Sequence, residues 1–237
     1  MLSARKANRQ YFREAYRTGI HGWAVDEPSP YAVDFLKRLR RQVPGGKLLD
    51  VGCGEGRHSF AAARLGFEVT AIDYEPLALK RVRQFARTQN VGQITVRWAD
   101  VFSLPFRASF DIVLDYGCLH HQRKCDWRAY KASIVRVLRP RGYYVLSVFS
   151  PRFRFFRKSR RPWHIARGAY RRCFTREDLA ELLGQDFDII EMSEERGKDG
   201  GFWHALLQRR AETAQTAGRR PGPRAQHPSE RSKSNHV

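Results

Sequence analysis

No stretch of this sequence comes near the roughly 18 consecutive apolar residues that a bilayer-spanning helix requires. The opening residues, Met1 to Arg9, also lack the apolar centre of a secretion signal. Cysteine is sparse: Cys53, Cys118, Cys125 and Cys173 include no C-x-x-C pair, which argues against a disulfide framework or a zinc knuckle and for a reducing compartment. No internal repeat is visible. Acidic residues are the most unevenly missing, since none stands between Asp126 and Glu177, where fifteen Arg or Lys do. These absences lead us to expect a soluble, cytoplasmic chain with no transmembrane segment and no metal site. The sequence does not set an oligomeric state.

What is present narrows the reading. The 237 residues are 42% hydrophobic, enough to bury the core of one large domain. Against 24 Asp and Glu stand 44 Lys and Arg, a net charge of +20 and a pI near 10.5. Such an excess favours anionic partners: nucleic acid, an anionic lipid surface or an acidic small molecule. Much of it is local, because between Arg152 and Arg172 nine cations interleave with five aromatic residues. From Ala211 onward Pro, Gly, Ser, Gln and Arg dominate, the composition of a disordered tail, so 211–237 is set apart from the fold.

Short apolar runs alternate with helical patterns, as in a parallel α/β sheet. Lys47 to Gly52 reads as a buried strand ending in a glycine turn, and Glu55 to Leu65 as a helix stopped by Gly66. Phe67 to Asp73 is a second strand, after which Pro76 opens a helix where proline is tolerated. Strands three to five are expected at Ile94 to Ala99, Phe110 to Asp115 and Tyr143 to Phe149, with a helix from about Trp127 to Leu138 joining the last two. Thr175 to Asp178 forms a capping box for a short helix ending at Leu183. Strands at about Phe187 to Met192 and Phe202 to Gln208 bring the count to seven, as an antiparallel edge.

The most informative segment is Leu48 to Arg57, a strand, a glycine-rich turn and a helix start. Glycines there permit positive φ and close approach of backbone to ligand, and the first helical amides point toward it, which suits a nucleotide-like cofactor. A dinucleotide fingerprint beginning at Gly52 would need glycine at position 57, where Arg57 stands, and no G-K-[S/T] follows for a phosphate loop. What stands there is Asp50-x-Gly52-x-Gly54-x-Gly56, with Cys53 inside it. This resembles motif I of the class I S-adenosylmethionine-dependent methyltransferases, and further matches follow in order over about residues 46–150.

The resemblance implies a Rossmann-like, doubly wound, seven-stranded, mostly parallel sheet with S-adenosylmethionine as cofactor, held by Asp50, Gly52, Cys53, Gly54 and Gly56. It places Asp73, with Tyr74 beside it, at the ribose hydroxyls, where two acceptor oxygens suit a vicinal diol. Asp100 matches the acid near the adenine amino group, with the Val101 amide beside it, and Asp115-Tyr116-Gly117 matches the segment lining the methionine moiety. Arg136 to Gly142 matches the family's L-x-P-G-G turn, with Arg141 in place of the first glycine.

The flanks resemble the small-molecule branch that includes tellurite-resistance and thiopurine or thiol methyltransferases. Tyr11 to Gly19, then Trp23 and Glu27 to Pro30, resembles that branch's N-terminal lid, so residues 1–45 are expected as lid helices, with Trp23 able to close over the cofactor, and 46–210 as the cofactor-binding domain. Asp115 to His121, Phe174 to Leu179 and Gly201 to Arg210 resemble it too. No Asn/Asp-Pro-Pro-Tyr/Phe motif follows the fourth strand and no proline precedes Cys118, so the patterns of adenine-amino and pyrimidine-C5 methylation are missing. The expected reaction is methyl transfer to a small-molecule acceptor, a direct displacement in which alignment supplies most of the acceleration. A base is needed only for a protonated acceptor. His120 and His121 are its candidates because imidazole titrates near neutrality, local packing or capping being the alternative for each, and Tyr116 is a second choice.

Residues about 150–174 form a basic aromatic insertion with three open roles. It is an acceptor lid whose arginines pair with a carboxylate or phosphate on the substrate, or an RNA or DNA binder in which Phe153, Phe155, Phe156, Trp163 or Tyr170 stack on bases, or an amphipathic element for a membrane face or protein partner.

Overall fold

The strands needed to carry the site come from buried apolar runs. In the computed structural model, described for residues 4–23, 27–88, 91, 93–196 and 201–211, these are β1 (Lys47–Val51), β2 (Glu68–Asp73), β3 (Ile94–Trp98), β4 (Phe110–Tyr116) and β5 (Leu138–Phe149). They pair in parallel, and β9 (Phe202–Arg209) adds antiparallel to β5, with β8 (Phe187–Glu194) antiparallel to β9. The order β3-β2-β1-β4-β5-β9-β8 is the expected seven-stranded, mostly parallel sheet with its hairpin at one edge. Apart from Ala211, the expected tail lies outside the described residues.

Because side chains alternate along a strand, each strand feeds two cores. Leu48, Ile112, Leu114 and Val145 face α2 (Pro30–Gln42) and α3 (Arg57–Arg64), while Leu49, Val113, Leu146 and Val148 face α5 (Trp127–Val137) and α6 (Arg176–Leu183). The side chains of α4 (Pro76–Thr88) close a third cluster around Ala71 and Phe60. Thr175 and Asp178 make the expected reciprocal capping box of α6.

Three features depart from the sequence reading. β5 starts at Leu138 rather than Tyr143: Leu138 pairs with Phe110, and after an irregularity Tyr143 pairs with Ile112. In the intervening turn Arg141 holds φ 62, the left-handed conformation that glycine favours, while a Cβ on Gly142 would lie 2.9 Å from the Arg139 carbonyl oxygen. Second, the basic insertion folds as a separate antiparallel pair, β6 (Trp163–Ala166) and β7 (Ala169–Arg172), joined by Arg167 and Gly168 at φ 50 and 81, the tight turn type that matches strand twist. Third, of the helices expected as a lid, α2 buries Phe35, Leu36 and Leu39 in the main core, and α1 (Ala4–Thr18) alone covers the site. The α1 helix is tied down by Asn8, whose Oδ1 accepts from the Tyr170 amide and whose Nδ2 donates to the His121 carbonyl, both at 2.8 Å.

Candidate active site

The chain leaves β1 toward β2 and leaves β4 toward β5, on opposite sides, so a crevice opens at the carboxyl ends of β1 and β4. It holds a cavity of about 480 Å³, covered by α1 and the β6–β7 hairpin.

One half is built from strand ends. Asp50, Gly52, Cys53 and Gly54 line it after β1, Asp73 and Tyr74 after β2, Asp100 and Val101 after β3, and Tyr116 at the end of β4. Gly52 and Gly54 have φ 66 and 56, and a Cβ would lie 3.3 Å from the Cys118 sulfur and 2.9 Å from the Tyr16 hydroxyl, respectively. The loop therefore comes as close to its cover as backbone can. Asp73 fixes it: one carboxylate oxygen accepts from the Gly54 amide at 3.0 Å and the other from the Glu75 amide at 2.8 Å, leaving a lone pair on each. Asp50 accepts from the Ser59 hydroxyl at 2.6 Å. Burial pushes Asp50 up to about 7, with the charges of Asp115 and Asp73 adding to the rise, and pushes Asp73 up to about 6. This buried acidic floor suits a ligand that brings hydroxyl donors or positive charge.

Two expected cofactor contacts are corrected. Asp115 is wholly buried away from the cavity, its oxygens filled by the Cys118 and Leu119 amides and by the hydroxyls of Tyr130 at 2.7 Å and Tyr144 at 2.9 Å, so it shapes the turn after β4 from beneath. Gly56 starts α3 at φ 89, where a Cβ would lie 3.0 Å from the Phe60 ring; it is needed for packing and does not line the cavity. Trp23 does line the cavity and donates through Nε1 to the Tyr16 hydroxyl at 3.2 Å.

The other half is aromatic and basic. His120 and His121, in the turn after β4, border it together with Phe12, Phe149, Phe155 and Arg171. The His120 ring stacks on Phe149 with centroids 3.6 Å apart, and its Nδ1 accepts from the Phe149 amide. His121 Nδ1 lies 2.8 Å from the Tyr170 carbonyl oxygen, which assigns the proton to Nδ1 and leaves Nε2 as an acceptor. Burial drives both imidazoles down, His120 well below its ordinary value and His121 to about 4, with the charge of Arg171 contributing to each. Both are neutral at pH 7.

Sequence reasoning missed the pairing of α1 with acids in and around the site. Arg5, Arg9 and Arg13 recur at helical spacing and meet Asp126 at 2.6 Å, Asp100, and Glu75 at 3.6 Å. That spacing was a readable signal. The hairpin was announced by Arg167-Gly168 between two short strand-like runs, although nothing local said where it would dock. Of the aromatics of the basic segment Trp163 is exposed, whereas Phe156 and Tyr170 are buried and Phe153 packs on Phe149 with centroids 4.0 Å apart. Nothing in this arrangement supports the alternative role in which these rings stack on bases.

Comparison with known proteins agrees with this geometry. Residues 48–142 match the model of the methyltransferase domain family. The 1,6-didemethyltoxoflavin-N1-methyltransferase of Burkholderia thailandensis, solved with its substrate and S-adenosylhomocysteine, superposes with a TM-score of 0.72 at 27% identity over 90% of this chain and 92% of that one. Fold, matched segment and the place of the site thus agree with those of class I S-adenosylmethionine-dependent methyltransferase domains such as that Burkholderia enzyme.

Among curated relatives, a 2-heptyl-1-hydroxyquinolin-4(1H)-one methyltransferase of Mycobacteroides abscessus is 27% identical over 54% of this chain and 55% of its own length. A ubiquinone biosynthesis O-methyltransferase of Xanthomonas campestris is 34% identical over 54% of this chain and 56% of its own length. The chain spans about half the length of the curated relatives it matches. A [4+2]-cyclase shares the fold at 17% identity and a TM-score of 0.66, so the fold alone does not fix a reaction.

Proposed function

We propose that this chain transfers a methyl group from S-adenosylmethionine to a small-molecule acceptor. The observation that carries the reading is the division of the cavity into an acidic, glycine-lined half and an aromatic half closed over by α1 and the hairpin. A cavity of about 480 Å³ suits a cofactor and a compact acceptor. In this reading Asp73 holds the ribose hydroxyls, Asp100 and the Val101 amide the adenine edge, and Asp50 with the Gly52–Gly54 backbone the methionine end, against Tyr116. Bound there, the cofactor would supply an electrophilic methyl carbon to the acceptor's lone pair, with its sulfur as the leaving group.

The histidines orient the acceptor. A neutral His121 held down to about 4 is a poor store for a proton, but its Nε2 accepts a hydrogen bond while Nδ1 stays anchored on Tyr170. The site thereby favours acceptors that need little help in deprotonation, and the thiol and chalcogen acceptors of the tellurite-resistance and thiopurine branch belong to that set. Cys53, Cys118, Cys125 and Cys173 are free thiols, in keeping with a cytoplasmic site of action, and no helix among the described residues is long and apolar enough to cross a membrane.

Calorimetric titration with S-adenosylhomocysteine tests the cofactor assignment, with tight binding expected in the wild type and loss of at least tenfold in Asp73→Ala. Label transfer from S-adenosylmethionine to thiols, phenols, ring nitrogens, carboxylates and total RNA then tests the acceptor class. Absence of S-adenosylhomocysteine binding, or label in RNA alone, overturns the reading.

A further inference from the structure

We infer that Arg171 selects an acceptor with an anionic group on a flat aromatic body, an inference that rests on the methyl-transfer reading above. β7 turns this side chain into the aromatic half, where it lines the cavity wall with only 7% of the residue exposed. Its guanidinium sits 5.1 Å from the Tyr11 ring centroid and 5.4 Å from that of Phe155. Nη2 donates to the Tyr11 hydroxyl at 2.8 Å and Nη1 to the Ala166 carbonyl at 3.4 Å. Among the described residues no carboxylate pairs with it. Arg172, the next residue, is equally buried but has Asp178 at 3.8 Å.

A guanidinium does not shed its proton, so a buried one without a counter-ion is costly, and a ligand that brings the counter-ion removes the cost. Two of its five N–H donors are engaged, and the planar fork matches a carboxylate or an ionised hydroxyl beside a second acceptor. The cavity's acids, Asp50, Glu55, Asp73 and Asp100, all belong to the strand-end half, so the aromatic half offers nothing to compete for Arg171. Arg154 adds a second cation on the same wall, 5.1 Å over Phe155. Phe149, Phe153 and Phe202 supply flat apolar surface. Charge and flatness together describe an aromatic acid, phenolate or enolate. The charge of Arg171 is felt at both His120 and His121, so that anion docks next to the histidine pair.

The probes are 4-nitrophenol, whose anion is coloured, and its neutral O-methyl ether 4-nitroanisole, each titrated into protein saturated with S-adenosylhomocysteine. Wild-type protein is expected to bind the phenolate at least tenfold more tightly than the anisole and to lower the apparent pKa of the bound dye. Arg171→Gln abolishes both effects while leaving anisole and S-adenosylhomocysteine affinities within about twofold, and Arg171→Lys restores part of the preference. Equal binding of the two probes by the wild type, binding of neither, or an Arg171→Gln protein that keeps its phenolate preference overturns the inference. Should Arg171→Gln fail to fold, the wild-type preference and the Lys variant decide it. Loss of S-adenosylhomocysteine binding in the wild type is the separate failure of the methyl-transfer reading.

Discussion

The acidic half of the cavity is made of strand ends and the loops directly after them, whereas the aromatic half also draws on α1 and on the segment from Phe153 to Arg171, which lie outside the main sheet. Contacts in the first half are short in sequence: Asp73 binds the amides of Gly54 and Glu75, and Asp115 those of Cys118 and Leu119. Contacts in the second join residues about 160 positions apart, Tyr170 to Asn8 and Arg171 to Tyr11. The first half is therefore fixed by the sheet itself, and the second is docked onto it by a few hydrogen bonds, ring contacts and exposed ion pairs.

That contrast can be broken most severely at Asp115. Asp115→Ala leaves two amides and two hydroxyls without their buried acceptor, and a stability loss of about 3–5 kcal/mol is expected in urea denaturation. A loss below about 1 kcal/mol would remove it from the framework of the site.

Gly54→Ala strikes the cofactor half alone. With φ 56 and the Tyr16 hydroxyl 2.9 Å from the new Cβ, strain of about 1–3 kcal/mol is expected to appear as a roughly 5- to 150-fold weaker S-adenosylhomocysteine titration. A matching loss in 4-nitrophenolate affinity would show that the halves are coupled.

The halves also differ in their response to pH. His121 is depressed to about 4, so the stability from keeping it neutral is complete above about 6.5 and is lost as pH falls toward 4, by at most ~3 kcal/mol. Asp50 is raised to about 7, so its burial costs nothing while both states are protonated and costs progressively more as pH rises from about 4 toward 7. Because the two oppose each other over pH 4 to 6.5, His121→Gln should make stability fall more steeply with rising pH there, and Asp50→Asn should make it rise more steeply. Unchanged slopes in both variants would refute the assignment.

The smallest effect is expected from the α1 latch. Exposed ion pairs are worth about 0.2–1 kcal/mol each, so replacing Arg5, Arg9 and Arg13 together by Ala should speed S-adenosylhomocysteine dissociation several-fold. Added salt should mimic this in the wild type and change little in the triple variant. Identical salt dependence in the two proteins would mean that α1 is held by its packing alone.

Much of the cofactor half was legible because its signals are contiguous. Asp50 to Gly56 specifies a turn by its own glycines, and the acids at positions 73 and 100 end strands whose apolar runs mark them. Even there, Asp115 looked like a contact and proved to be an internal brace, because a one-dimensional pattern does not distinguish a carboxylate facing the cavity from one facing Tyr130 and Tyr144. Arg141 was visible as a departure from a glycine pair, but its left-handed φ was not.

The sequence by itself determined the parallel sheet, the glycine-rich cradle and the identity of its acids, because those depend on side-chain periodicity and on residues close together in the chain. Only the tertiary structure decided what the basic segment touches. Its nine cations and five aromatics are compatible with a lid, a nucleic-acid surface or a membrane face in sequence, whereas the fold packs the segment on α1, buries Phe156 and Tyr170, and leaves Arg171 on the cavity wall with no acid paired to it among the described residues. The reason is physical: a charge is defined by what lies within a few ångströms of it, and for Arg171 those neighbours come from distant parts of the chain that folding alone brings together.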